Sequence, residues 1–273
     1  MRHLKIGFIG AGNMASSIIG GLLEQGLPAA NIRASDPSME SLDRLATLAP
    51  IATSQDNRDT VADADVVILA VKPQVMAEVT AGIREALAGQ GAMVISIAAG
   101  ITLASLEAGL GEQTPIIRCM PNTPALLQSG ATALKANAAT GEEQRHLAET
   151  ILAAVGSVCW VEEEAQLDAV TALSGSGPAY FFLFMEAMAE AGVELGLDPN
   201  ISRELAVQTG LGAARMAAVG DTSLEELRRR VTSPGGTTER AVQSFEAADL
   251  RGIVTAAMEA AAQRSREMAR DLG

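Results

Sequence analysis

The chain of 273 residues is poor in the side chains that most enzyme chemistry relies on, with two histidines, two cysteines and three lysines. His3 and His146 are the only histidines, and neither falls in a glycine- or proline-rich loop. This argues against a Ser-His-Asp hydrolase and against a His-ligated metal, so no metal site is expected. Cys119 and Cys159 are too few for a disulfide framework, which makes a reducing cytoplasm the expected location. Lys5, Lys72 and Lys135 leave the second half of the chain without a lysine, so any catalytic lysine must come from the first half. Basic residues are outnumbered 20 to 33, for a net charge of −13. An acidic surface of this kind repels nucleic acid and anionic membranes, and neither is expected as a partner. No apolar run reads as a membrane span. The most apolar later stretch, 169–185, contains Ser-Gly-Ser-Gly-Pro and is followed by Glu186 and Glu190.

Glycine, by contrast, is abundant and placed with purpose. The segment from Lys5 to Gly26 is a short apolar run that breaks into glycines and resumes with helical spacing, predicting a strand, a tight turn and a helix. Within it, Gly10-Ala-Gly-Asn-Met-Ala15 fits the G-x-G-x-x-G/A pattern. Gly10 makes the turn, Gly12 lets the backbone approach a pyrophosphate, and Ala15 lets helix and strand pack closely. The helix N-terminus then offers free N–H groups and a partial positive charge to the phosphates.

Further along, 31–35 reads as a strand, 38–48 as a helix and 51–53 as a short strand. The β-branched run Val66 to Val71 suits a strand buried on both faces. A helix over 74–88, a strand at 93–97, a helix over 102–108 and a strand at 115–119 continue the alternation, which predicts an α/β fold with a doubly wound, Rossmann-like sheet. Strands at 131–135 and 157–161 flank a helix at 141–154. From about residue 163 the strand-like runs cease and Ala, Leu, Met and Glu recur at helical spacing over 163–173, 177–196, 200–218, 223–230, 236–246 and 249–271. The chain therefore divides into a dinucleotide-binding domain over 1–162 and an all-helical domain over 163–273.

Several positions have chemistry available. Asp36, at the end of the second strand, can accept hydrogen bonds from an adenosine ribose, which favours NAD; alternatively Arg33 and Ser35 beside it hold a 2′-phosphate, or Asp36-Pro37 is a simple strand-ending turn. Lys72 follows a buried strand at the carboxyl end, where such sheets bind ligands, or is simply solvated there. Asn122 and Thr123 sit in a loop stiffened by Pro121 and Pro124. Tyr180, Phe181, Phe182 and Phe184 surround most of one helix and fit a core or a subunit interface better than substrate contact. The turn Ser233-Pro-Gly-Gly236, flanked by hydroxyls, either receives a carboxylate on its backbone N–H groups or is an ordinary helix cap.

Taken together, Phe8 to Ala15, Ala70-Val-Lys-Pro73, Ser96-Ile-Ala-Ala-Gly100, Arg118-Cys-Met-Pro-Asn-Thr-Pro124, Asp168 to Tyr180 and Val231 to Thr238 resemble the pyrroline-5-carboxylate reductases, which make proline, over nearly the whole chain. The resemblance implies hydride transfer from NADPH, with NADH also accepted, to the C=N carbon of a cyclic imino acid. It implies that Ser233, Gly236 and Thr237 hold the substrate carboxylate, that Thr238 bonds the ring nitrogen and acts in catalysis, and that Glu164 lies near that nitrogen. Cofactor-contacting positions are implied at Gly10, Ala11, Gly12, Asn13, Met14, Ala15, Ser35, Asp36, Asn57, Val71, Lys72, Pro73, Ala98 and Asn122. It further implies a homodimer built through the helical domain and assembled into higher oligomers. A β-hydroxyacid dehydrogenase shares the opening fingerprint but carries a catalytic lysine in its second domain, where this chain has none. A non-catalytic nicotinamide sensor is the remaining alternative, against which the hydroxyl-rich turn at 233–238 argues.

Overall fold

The computed structural model describes residues 3–272. The chain opens with β1 (Ile6–Ile9), α1 (Asn13–Glu24), β2 (Ile32–Ser35), α2 (Met39–Leu48), β3 (Ala52–Ser54), α3 (Asn57–Val61) and β4 (Val66–Leu69). It continues through α4 (Met76–Leu87), β5 (Met93–Ser96), α5 (Leu103–Leu110), β6 (Ile116–Met120), β7 (Gly130–Ala136), α6 (Glu142–Leu152) and β8 (Gly156–Trp160). Helices follow: α7 (Gln166–Val170), α8 (Gly177–Glu194), α9 (Pro199–Ala218), α10 (Leu224–Arg230), α11 (Thr237–Ala247) and α12 (Leu250–Leu272). This is the expected α/β fold, a Rossmann-like sheet followed by a helical part.

The strands lie in the order β3-β2-β1-β4-β5-β6-β7-β8, so the direction of winding reverses between β1 and β4. The first six strands are parallel, and β1, β4 and β5 are buried along their whole length, as a sheet covered by helices on each side requires. Because side chains alternate across a strand, consecutive residues enter different cores. Ile6, Phe8, Val66, Ile68, Met93 and Ile95 pack with Ile18, Ile19 and Leu22 of α1. Ile9, Val67, Leu69 and Val94 pack instead with Ile83 of α4 and Leu106 of α5.

Two features depart from the sequence pattern. β7 runs antiparallel to β6, and β8 follows β7 in parallel. The link 121–129 holds only the 3-10 turn Thr123–Leu127, whereas a parallel crossover needs about a dozen residues or more. The predicted helix over 163–173 becomes α7 followed by a π-helical turn, Thr171–Gly175, in which the Ser176 N–H donates to the Thr171 carbonyl at 2.8 Å. Gly175 lies so close to Met120 that a Cβ there would be 2.6 Å from its Cε.

Residues up to Ser176, with the segment from Ala260 onward, form one compact unit, and Gly177–Glu259 form a second. In the first, the C-terminal half of α12 packs back: Ser265 Oγ donates to Asp168 Oδ1 at 2.6 Å, and Met268 lies against Gly100. In the second, α8 and α9 pack antiparallel, with Ser202 Oγ donating to the Ala189 carbonyl at 2.7 Å and Met185 meeting Gly210. Phe184 and Phe245 add a tilted ring pair 5.9 Å apart. Only Gly177, Ser202 and Ala206 of this second unit are buried.

Two neighbouring glycines of α1 make opposite demands. A Cβ on Gly20 would meet nothing within 4 Å, whereas one on Gly21 would lie 2.5 Å from the Ala154 carbonyl oxygen. Gly20→Ala is expected to stabilise the protein by about 0.5–1 kcal/mol through helix propensity. Gly21→Ala gains the same propensity but is expected to lose about 1–3 kcal/mol net to the clash. Denaturant unfolding at fixed protein concentration checks both signs.

Candidate functional site

The site begins where β1 ends. Gly10 adopts φ +102°, and a Cβ on it would lie 2.5 Å from the Ala70 carbonyl oxygen at the end of β4, so only glycine fits this turn. Gly12 caps α1 with extended backbone and no side-chain hydrogen bond, and open space surrounds the position where its Cβ would stand. Ala15 is fully buried beneath the turn. The first turn of α1 therefore faces outward with N–H groups that no side chain satisfies, at the point where the sheet order reverses and such folds bind nucleotides. The arrangement fits a dinucleotide pyrophosphate over Gly10–Ala15.

Asp36 fastens this turn. Its Oδ2 accepts from the Ala11 N–H at 2.9 Å and its Oδ1 from the Ser38 N–H at 2.9 Å. Ser35 is fully buried and donates its hydroxyl to Asn57 Oδ1 at 2.8 Å, which seats the start of α3 beside the end of β2. Arg33 donates to the carbonyls of Asp59 and Ala62 at 3.1 and 3.3 Å, so its guanidinium is engaged with α3.

The second cluster stands at the carboxyl ends of β4, β5 and β6. Lys72 is exposed between the half-buried Val71 and Pro73, and makes no hydrogen bond or ion pair among the described residues. Ala98 is buried in the loop leading to α5, and Gly100 of that loop takes φ +74°. The Asn122 amide is occupied at both ends: Nδ2 donates to the Ser174 carbonyl at 3.0 Å and Oδ1 accepts from the Ala131 N–H at 2.8 Å. It joins the loop after β6 to the π-helical turn and to β7. Glu164 Oε1 accepts from Arg118 Nη1 at 2.6 Å and from the Leu103 N–H, at the start of α5, at 2.8 Å. The Arg118 side chain is 7% exposed and that of Glu164 29%.

Ser233, Gly236, Thr237 and Thr238 belong to the second unit. Gly235 at φ +73° turns the chain, and Gly236 caps α11 without a side-chain hydrogen bond. The Gly235 N–H donates to Glu239 Oε2 at 2.8 Å, closing the loop from the following helix. The hydroxyls of Ser233, Thr237 and Thr238 have no hydrogen-bond partner among the described residues, and all three residues are exposed. Thus the turn presents backbone N–H groups and hydroxyls together, a combination that suits a carboxylate.

Comparison with known proteins draws these features into one family. Residues 164–268 match the family model for pyrroline-5-carboxylate reductase dimerisation, and residues 5–100 match that for NADP oxidoreductase, coenzyme F420-dependent. The pyrroline-5-carboxylate reductase of Pseudomonas aeruginosa is 54% identical over 269 residues, 98% of each chain. The chain belongs to the pyrroline-5-carboxylate reductase family. Among solved structures of the family, that from Coxiella burnetii superposes with a TM-score of 0.94 at 44% identity, covering 97% of this chain and 98% of that one. The Plasmodium falciparum pyrroline carboxylate reductase, solved with NADP bound, gives 0.87 at 29% identity over 98% and 99% of the two chains.

Within this pyrroline-5-carboxylate reductase fold, two groups have roles that sequence patterning left unassigned. Arg118 interrupts the apolar run of β6, and a buried arginine in a core strand is itself the signal, since such a charge requires a partner. Cys119, next to it, is buried and donates weakly to the Ser96 carbonyl at 3.3 Å; burial pushes its thiol far above the ordinary range, which leaves it without nucleophilic character. The described residues hold no cluster of His, Cys, Asp or Glu arranged for a metal.

Arg118→Met is expected to cost about 1–3 kcal/mol of stability, because it leaves a partly buried carboxylate with a single N–H donor. Glu164→Gln retains the Leu103 bond and should cost less. Paired denaturation curves check the order, and equal stability of wild type and Arg118→Met would show that the ion pair is not a structural tie.

Proposed function

We propose that the chain reduces the C=N bond of 1-pyrroline-5-carboxylate to give L-proline, as an NAD(P)H-dependent oxidoreductase. The observation that carries this reading is the uncapped hydroxyl-and-glycine turn Ser233–Thr238 in a chain that belongs, along its whole length, to the pyrroline-5-carboxylate reductase family. When bound, the reduced nicotinamide supplies the hydride. The residues around it orient, hold and desolvate.

On this reading residues 1–162 bind the cofactor and residues 163–273 bind substrate and build the dimer. Gly10, Ala11, Gly12, Asn13, Met14 and Ala15 hold the pyrophosphate through the α1 N-terminus. Ser35, Asp36 and Asn57 flank the adenosine ribose. Val71, Lys72, Pro73, Ala98 and Asn122 border the nicotinamide half, at the carboxyl ends of the strands beyond the reversal. Ser233, Gly236 and Thr237 hold the substrate carboxylate, and Thr238 hydrogen-bonds the ring nitrogen. Glu164 contributes negative charge near that nitrogen, which favours the protonated imine. Because a protonated imine is already electrophilic, positioning and charge stabilisation suffice without histidine or metal.

A homodimer accounts for the second unit. A helical segment with only three buried residues, and with Phe181, Phe182, Leu183 and Phe184 45–70% exposed, has too little core of its own and too much apolar surface for a monomer. Assembly of dimers into rings, a cytoplasmic location and indifference to nucleic acid and membranes complete the proposal, in keeping with the net charge of −13. No helix among the described residues is long and apolar enough to cross a membrane.

Imine-dependent oxidation of NADPH and of NADH, followed by absorbance, tests the reaction. Turnover is expected, and none with either cofactor would overturn the assignment. Thr238→Ala is expected to lower kcat roughly a hundredfold while leaving the cofactor Kd within about twofold. An unchanged kcat removes Thr238 from the mechanism.

A further inference from the structure

The loop between β5 and α5, residues 97–102, has little of its own to hold it. Thr102 ends it by capping α5, its Oγ1 accepting from the Ser105 N–H at 3.1 Å. At the bend, neither Ala99 nor Gly100 donates a backbone hydrogen bond among the described residues, although Gly100 is buried. Gly100 takes φ +74°, and a Cβ on it would meet Met268 Cβ at 3.0 Å, the Met268 carbonyl carbon at 3.4 Å and the Ala269 nitrogen at 3.6 Å. All three atoms belong to α12, so the bend rests on that helix.

Helix α12 brings one face to this place. Ser265, Met268 and Leu272 follow one another at helical spacing. Ser265 is buried, Met268 is half-buried, and Leu272 packs on the core that contains Ala98, Ile101 and Leu103. This face is fixed in turn by Asp168, whose Oδ1 accepts from Ser265 Oγ at 2.6 Å. Four residues before Asp168, Glu164 accepts from the Leu103 N–H, at the start of α5, at 2.8 Å. The contacts therefore close on themselves. Residues 164–168 hold both α12 and the start of α5, and α12 holds the bend that leads into α5.

A loop placed by packing rather than by hydrogen bonds moves when its support changes volume. We propose that Met268 and Ser265 are positioning residues for the nicotinamide half of the cofactor site, Met268 acting through Gly100 and Ser265 by fixing α12 to Asp168. The proposal rests on the reading that Ala98 borders the nicotinamide half, and it holds whichever imine is reduced.

Two probes on the full-length protein separate local positioning from general loosening. NADPH engages both halves of the site, whereas adenosine 2′,5′-bisphosphate engages the adenosine half alone. By calorimetric titration, Met268→Ala is expected to weaken NADPH binding about fivefold and Ser265→Ala about threefold, the size of effect expected for residues acting through a packed neighbour. Binding of adenosine 2′,5′-bisphosphate should stay within about twofold of wild type in both variants, and Met268→Leu, which nearly conserves volume, should restore NADPH binding to within about twofold. Equal weakening of the two probes would mean that the whole domain has loosened, and would overturn the proposal. Unchanged NADPH binding in both folded alanine variants would overturn it as well and, if the wild type reduces the imine, leave the reaction standing. The expected split between the probes in a protein that does not reduce the imine would do the reverse. Absence of NADPH binding by the wild type would overturn both.

Discussion

Gly10 and Ala70 bring the ends of two strands closer together than any side chain would permit, and the rest of the site is laid out around that contact. The Gly10 N–H donates to the Ser35 carbonyl at 2.7 Å and the Ala70 N–H to the Ile9 carbonyl at 2.8 Å, so β2, β1 and β4 are laced at their carboxyl ends. Helix α1 then has to begin at the one place in the sheet where successive connections depart in opposite directions. A crevice opens there by topology, and the helix end that points into it carries unsatisfied N–H groups.

Polar side chains near this crevice serve the backbone first. Asp36 holds Ala11 and Ser38, Asn122 holds Ser174 and Ala131, and Glu164 holds Leu103 together with Arg118. Each of these groups is therefore fixed before any ligand arrives, which lowers the ordering cost of binding. The chemistry proposed for the chain is undemanding in just this sense: an electrophilic imine needs a dry, correctly shaped place more than it needs a strong acid or base.

Much of this layout is legible in the sequence, for identifiable reasons. The run Val66 to Leu69 and the glycine at 10 carry their own structural meaning, because a doubly buried strand and a left-handed turn admit few other residues. The reversed strand β7 was not legible, since the alternation of Gly130–Ala136 is the same in either direction and only the shortness of the preceding link distinguishes them. Helix α3 is one and a half turns long and leaves no periodic trace. Side-chain partners were hidden for a different reason. Arg33 and Arg118 look alike as isolated letters, yet one is tied to carbonyls at the surface and the other is buried against Glu164.

The last helix sets a timetable for folding. Ser265 and Met268 pack on Asp168 and Gly100, so the first compact unit includes residues made long after all eight strands. A nascent chain that has emerged only as far as Ser176 holds the complete sheet, but the loop after β5 still lacks the side chain that backs it. Gly100 and Met268 are separated by most of the chain, and closing so long a loop is slow compared with forming the sheet's local connections. The sheet is therefore free to assemble during synthesis. The packing behind the loop after β5 is finished only after Met268 has been made.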